Sequence, residues 1–149
     1  MKIVVDTNII FSALLNSNGT IGDLLFNSDK QFEFYSCRYM RQEIHTHWDR
    51  MKKISKLPEE QLQISYTQVL SKLKFINEEI IPLEIWLTSE NLLKAIYVDD
   101  TDFVALTTFL PARLWTGDKL LYNGLKKLNF KKVITTSELL ALRSSRIRK

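Results

Sequence analysis

The sequence predicts an α/β fold, a three-layer α/β/α sandwich around a central, mainly parallel sheet, on three observations. Short β-branched or aromatic runs recur at residues 2–5, 32–35, 113–116 and 132–134; longer stretches with apolar residues at helical spacing separate them; and no Pro, Gly or Ser-rich segment marks a linker. Strands that alternate with helices become parallel neighbours, and their crossovers are almost always right-handed. At 149 residues the chain suits a single domain spanning 1–149, long enough to bury a core without staples.

Each element follows from local pattern. Ile3-Val4-Val5 is apolar on both faces, as a central parallel strand requires, and it runs into the helix start Asp6-Thr7-Asn8. Asp6 therefore stands at a strand's carboxyl end. Ile9, Ile10, Ala13 and Leu14 recur at helical spacing, and beyond Asn18-Gly19 a second amphipathic piece carries Ile21, Leu24 and Leu25. Phe32-Glu33-Phe34-Tyr35 is the second strand, with Ser36 the expected cap of a long helix that begins near Arg38 and carries Glu43. Pro58-Glu59-Glu60 opens another helix, with acids at its positive end and apolar positions at Leu62, Tyr66, Val69, Leu70 and Leu73. Ile80-Ile81 before Pro82 reads as a brief strand, and helix returns over residues 85–96. Asp99-Asp100-Thr101-Asp102 precedes an apolar helix through Val104, Ala105, Leu106 and Phe109. A strand at residues 113–116 leads directly into Gly117-Asp118. Helix over 119–128, strand over 132–134 and a closing helix from Ser137 complete the chain.

Composition narrows the class. One cysteine, Cys37, excludes an internal disulfide and a cysteine-based zinc site, which fits a reducing cytoplasm. Charge arrives at Asp6, too early for a signal-peptide apolar region or a membrane span, so neither export nor an anchor is expected. The net charge of +4 permits polyanion binding. Its excess falls in three clusters, Arg50, Lys52, Lys53 and Lys56, then Lys126, Lys127, Lys131 and Lys132, then Arg143, Arg146, Arg148 and Lys149. His45 and His47, two apart on a helix, point about 200° away from each other and do not suit one shared ion. Trp115 and Trp86 suit core packing, while Trp48 is open to either core or base stacking.

The carboxylates carry the chemistry. Ligands of open α/β sheets bind beyond the carboxyl ends of the strands, where Asp6 and Asp118 both fall. Asp100 and Asp102 lie at the start of the helix before the Trp115 strand, and Glu43 sits one to two turns into the helix after the second strand. An Asp in such a place is also an ordinary helix cap, but one cap per helix suffices, and the run Asp99, Asp100, Asp102 exceeds that need. Carboxylates gathered together favour a divalent cation or raised pKa values, and oxygen-only ligation selects Mg²⁺ or Mn²⁺. Such an ion supports phosphodiester hydrolysis most directly.

At these residues the chain resembles a PIN domain over nearly its whole length. Ile3-Val4-Val5-Asp6-Thr7-Asn8 is similar to the family's opening strand with its Asp and Asn; Ser36 and Glu43-Ile44 resemble the segment of the second acid. Asp99-Asp100-Thr101-Asp102-Phe103-Val104-Ala105-Leu106 and Leu114-Trp115-Thr116-Gly117-Asp118 resemble the third and fourth blocks. The resemblance implies an acidic pocket for Mg²⁺ or Mn²⁺ and endonuclease activity, mostly on RNA. It makes Asp6, Glu43 and Asp118 the metal-site acids, with Asp100 or Asp102 or both as the third, and Thr7, Asn8 and Thr116 as supporting polar groups. Many small members are toxins held by an antitoxin, and dimers are common among them. The third block departs from the pattern by holding three acids where one or two are needed.

Two other functions compete. A haloacid-dehalogenase phosphatase also has an Asp ending its first strand, but it needs a second Asp where Asn8 stands. A catalytically silent PIN-like module would bind RNA or protein without cutting, and loss of Asp6 or Asp118 would mark it; both are present. The four glycines form no Walker-type phosphate loop.

Overall fold

The computed structural model describes residues 1–94 and 98–147. Its strands, β1 (Lys2–Val5), β2 (Glu33–Cys37), β3 (Leu73–Ile76), β4 (Arg113–Trp115) and β5 (Val133–Ile134), all pair in parallel, in the order β3-β2-β1-β4-β5. The helices among the described residues are α1 (Thr7–Leu15), α2 (Thr20–Phe26), α3 (Arg38–Thr46), α4 (Trp48–Ser55), α5 (Glu59–Leu70), α6 (Leu83–Leu93), α7 (Thr101–Phe109), α8 (Lys119–Lys127) and α9 (Thr136–Ile147). Two 3₁₀ turns, Glu78–Ile80 and Val98–Asp100, flank α6.

Topology follows from the strand order. From β1 to β3 the chain moves one way across the sheet, and from β3 it jumps past β1 to β4 and continues to β5. Right-handed crossovers then put the helices before β3 on one face and those after it on the other. Packing agrees: α7 lies across β1, β2 and β4 with α6 against it, while α1 gathers α2, α3, α4 and α5 around itself. Arg143 on α9 returns to the α2 face, where its guanidinium meets Asp23 at 2.7 Å and the Ser28 hydroxyl at 3.2 Å.

The central strand is the apolar one. Ile3, Val4 and Val5 are fully buried and belong to a core cluster with Ile9, Leu24, Met40, Leu106, Leu114 and Trp115. Trp115 satisfies its indole N–H by donating to the Thr136 hydroxyl at 3.0 Å. Trp48 leans on Tyr66, with ring centroids 5.6 Å apart, and donates to Glu59. Gly22 is required by close approach, since a Cβ there would lie 2.1 Å from the Ser17 carbonyl oxygen. Among the described residues no single helix is long and apolar enough to cross a membrane.

Four local expectations are corrected. Leu73 begins a strand instead of extending α5, and Ile80, read as strand, lies 59% exposed in a 3₁₀ turn with Ile81 just after it. As an edge strand β3 needs only one well-buried position, Leu73, so it lacks the continuous apolar signal of β1. The long helix carrying Glu43 is two helices, broken at His47 without a Gly or Pro to announce it. Ser36 does not cap α3: it lies within β2, where its hydroxyl donates to the Val5 carbonyl at 3.3 Å. The expected end of α6 at Ile96, and Arg148 and Lys149 of the third basic cluster, lie outside the described residues.

Leu114 is fully buried, whereas Ile64 is 47% exposed. Leu114→Ala is expected to lower unfolding free energy by about 2–5 kcal/mol in a denaturant titration, and Ile64→Ala by less than about 0.5 kcal/mol.

Candidate active site

The carboxyl ends of β1 and β4 meet where the strand order reverses, the place at which open α/β sheets bind ligands. Val5 pairs with Trp115, and the Asp6 N–H donates to the Trp115 carbonyl at 3.3 Å, so Asp6 and Thr116 leave the sheet side by side. Asp6 is only 3% exposed. Its Oδ1 accepts the Ile9 N–H at 3.1 Å, capping α1, and Thr116 gives its carboxylate a side-chain hydrogen bond. The Thr116 hydroxyl also accepts the Asp118 N–H at 3.1 Å. Thr116 thus links two acids from different helix starts.

Asp118 caps α8, its Oδ1 accepting Leu120 and Leu121 N–H groups at 2.9 and 3.2 Å. Both capping bonds fall on one oxygen, so capping and a second role are compatible in the same carboxylate. Glu43, on α3, is half-buried and accepts a hydrogen bond from the Thr7 hydroxyl at 2.5 Å. Thr7 follows Asp6 directly, so α1 fixes an acid from α3 against the end of β1. Asn8 stays exposed at the same rim.

Asp100 closes the set. It occupies the cap position of α7 yet makes no capping hydrogen bond, so helix termination does not account for it. Burial, then the charges of Asp6, Asp118, Glu43 and Asp99, push its pKa up to about 7. Burial likewise raises Asp6 to about 6, against the hydrogen bonds from Thr116 and Ile9, and the charge of Asp118 adds to the rise. Glu43 is raised, chiefly by burial, with the Thr7 bond opposing and Asp99 adding. Like charges within reach of one another disfavour ionisation in this way.

Asp102 is placed differently. Burial, then the charge and proximity of Glu78, raise it to about 6, and the charge of the rim acid Glu43 adds to the rise. Among the described residues, the group of three acidic, Cys or His side chains whose ligand atoms all lie within 4.8 Å of one another is Cys37, Glu78 and Asp102. The rim acids Asp6, Glu43, Asp100 and Asp118 are within electrostatic reach but looser. Their carboxylate oxygens are donors of the kind a hard divalent cation takes. The all-oxygen donor set fits the same class of ion.

Two residues here were not singled out in the sequence. Glu78 accepts the Arg38 and Tyr39 N–H groups at 3.1 and 2.9 Å, doing for α3 what Ser36 was expected to do. No local pattern signals this, because the partners lie about 40 residues away. Tyr39 sits among the acids: burial, then the charges of Glu43, Asp99, Asp102 and Asp100, push its phenol up to about 12. Its position four residues before Glu43, on the same helix face, was a usable signal.

Cavities flank the rim on both sides. One of about 350 Å³ is lined by Thr7, Asn8, Phe11, Glu43, His47 and Arg50. Another, of about 300 Å³, is lined by Thr116, Asp118, Lys119, Asn123, Thr135 and Thr136. A larger hollow of about 920 Å³ between α3, α4 and α5 includes His45 and Trp48 but none of the rim acids.

A family model described as a PIN domain matches residues 4–140. The chain belongs to the PIN-domain family. PIN domains are generally nucleases, and membership sets aside the phosphatase alternative. Sequence search among curated proteins finds no match. Solved structures with this PIN fold include VapBC2 from Rickettsia felis bound to a DNA fragment from its promoter, with a TM-score of 0.70 at 18% identity, covering 91% of this chain and 98% of the other. PAE2754 from Pyrobaculum aerophilum also gives a TM-score of 0.70, at 13% identity, covering 97% of this chain and 90% of that one. At such identities these likenesses establish the fold.

The raised carboxylates of this PIN domain set a pH dependence. Their pKa values lie above the ordinary 3.8, so between about pH 4 and pH 7 the folded chain holds protons that the unfolded chain releases. Their contribution to stability is therefore present below about pH 4 and lost as pH rises towards 7. Asp100→Asn is expected to flatten that decline and to raise the metal-free melting temperature above pH 7 by about 2–4 °C. An unchanged melting curve would show that neither burial nor the other acids perturb Asp100.

Proposed function

We propose that this PIN domain, acting as one domain over residues 1–149, is a metal-dependent endoribonuclease that hydrolyses phosphodiester bonds at Asp6, Glu43, Asp100 and Asp118. The observation that carries the reading is the perturbation of Asp100 by all three of the other acids, which come from separate segments of the chain. These four residues would hold Mg²⁺ or Mn²⁺, which when bound would supply Lewis acidity towards a water and the scissile phosphate.

The chain's own groups do the rest. Thr7 holds Glu43 and Thr116 ties Asp6 to Asp118, so the acids are ordered before substrate arrives. Arg50 and Lys119, lining the cavities on either side, attract the flanking phosphates of an RNA strand. Asn8, exposed beside Asp6, has an amide suited to orienting a carboxylate or the substrate. Asp102, which feels the charge of Glu43 and lies within 4.8 Å of Cys37 and Glu78, remains the alternative third acid.

The likeness to VapBC2 supports a place in a toxin–antitoxin pair, with a protein antitoxin covering the acidic rim until release. A cytoplasmic site of action goes with that role and with a buried, unbridged Cys37. A catalytically silent RNA- or protein-binding module is the remaining alternative, and it has no use for the raised pKa values at the rim.

Purified protein incubated with mixed RNAs is expected to cleave them with Mn²⁺ and not with chelator. Asp6→Asn should cut the rate by about 100-fold or more and leave the circular dichroism spectrum unchanged. Full cleavage by that variant would refute the assignment.

A further inference from the structure

The two cavities that flank the acidic rim differ in chemistry. On the β4 side the walls are hydroxyls, an amide and a cation: Thr116, Thr135, Thr136, Asn123 and Lys119. The aromatic ring there, Tyr122, already has the Lys126 ammonium 5.4 Å from its centroid. On the β1 side, around a space of about 350 Å³, the walls turn apolar, with Phe11 and Leu15 on α1 facing Met51 and Ile54 on α4. That volume is within the range of pockets that seat a small organic group.

Helix periodicity makes this second cavity a cleft. Asn8, Phe11 and Leu15 follow one another at three- and four-residue spacing along α1, and Glu43, His47, Met51 and Ile54 do so along α3 and α4. Both stripes start at the rim and run away from it, and the rise of α1 from Thr7 to Leu15 is about 12 Å. Phe11 and His47 meet edge to face with ring centroids 6.1 Å apart, forming an aromatic corner. Leu15 and Ile54, 43% and 55% exposed, leave apolar surface open at the far end. Arg50 lines the same cleft, is exposed, and among the described residues joins no carboxylate, whereas Lys52 is paired with Glu59 at 3.2 Å.

A nucleotide answers to this division of chemistry. Its base has apolar faces for the walls and a polar edge for the exposed Asn8 amide, and its phosphates are complementary to Arg50 and continuous with a phosphate held at the rim. We propose that the cleft between α1 and α4 is a base-binding subsite, in which one nucleotide beside the scissile phosphate inserts an unpaired base while Arg50 meets the adjoining phosphate. The proposal rests on the nuclease reading above and makes the substrate class single-stranded RNA, because a base held in a duplex must first be unpaired and unstacked to enter.

The test is steady-state cleavage of a short RNA built around a bond that the wild type cuts, beside copies made abasic at the nucleotide on either side of that bond. The enzymes are the wild type, Ile54→Trp, Leu15→Trp and Arg50→Ala. Each Trp variant fills the cleft from one wall at an exposed position, so each is expected to keep the wild-type circular dichroism spectrum, and either one suffices. With the wild type, one abasic copy should lose about 5- to 150-fold in kcat/KM. The Trp variants should lose a similar factor on the intact RNA and show little further loss on that abasic copy. Arg50→Ala should keep the abasic penalty, raise KM and flatten the logarithmic dependence of KM on salt by about 0.7. Equal rates on the intact and both abasic RNAs overturn the proposal. So does an abasic penalty as large in the Trp variants as in the wild type, the result expected if the cleft seats a protein segment instead. Undiminished cutting of the same sequence within a perfect duplex overturns it as well, and an unaltered salt slope in Arg50→Ala overturns the part given to Arg50. If the wild type cuts RNA without these signatures, only the subsite fails; if it cuts no RNA with Mn²⁺, the nuclease reading fails and takes the subsite with it.

Discussion

Parallel strands cannot be joined by tight turns, so each connection in this sheet must cross a face, and the hand of the crossing is fixed. When strand order reverses at β1, helices are sent to opposite faces and a crevice opens between β1 and β4. Asp6 and Thr116, and through Thr116 Asp118, are delivered to that crevice by register alone. Everything else at the site is brought to it: Glu43 by the hydroxyl of Thr7, and Asp100 by the packing of α7 across the middle strands.

The cost of that convergence is electrostatic. Asp100, which feels the charges of Asp6, Asp118 and Glu43 from separate segments, is pushed up to about 7. Burial is the larger contribution and mutual repulsion the rest. Perturbations of this kind concentrate at functional sites because a purely structural role would be better served by neutral residues. Capping and the proposed catalytic role are not competing accounts here. Asp118 satisfies two helix N–H groups through one oxygen, which fixes the side chain in place for a second task.

Much of this was legible in the sequence wherever one residue type answers to one local constraint. The buried Ile3-Val4-Val5 of β1 and Leu114-Trp115 of β4, the apolar positions of α1 and α7, and the acids at strand ends all follow from pattern. What escaped was decided by distant partners. The edge strand β3 needs little apolar sequence, so Leu73 was absorbed into the preceding helix. The break at His47 has no breaker residue, and the cap of α3 comes from Glu78 across the fold. Spacing could not show that Asp102, unlike Asp100, has Glu78 and Cys37 within 4.8 Å, because Glu78 comes from a distant turn.

The central claim is that acids remote in sequence form one cation-binding rim, and crystals soaked in Mn²⁺ test it most directly through anomalous scattering. The account expects a Mn²⁺ peak in the β1–β4 crevice, with carboxylate oxygens from among Asp6, Glu43, Asp100 and Asp118 about 2 Å away and water completing the shell. A peak at Cys37, Glu78 and Asp102 instead, or none at saturating Mn²⁺, would contradict it.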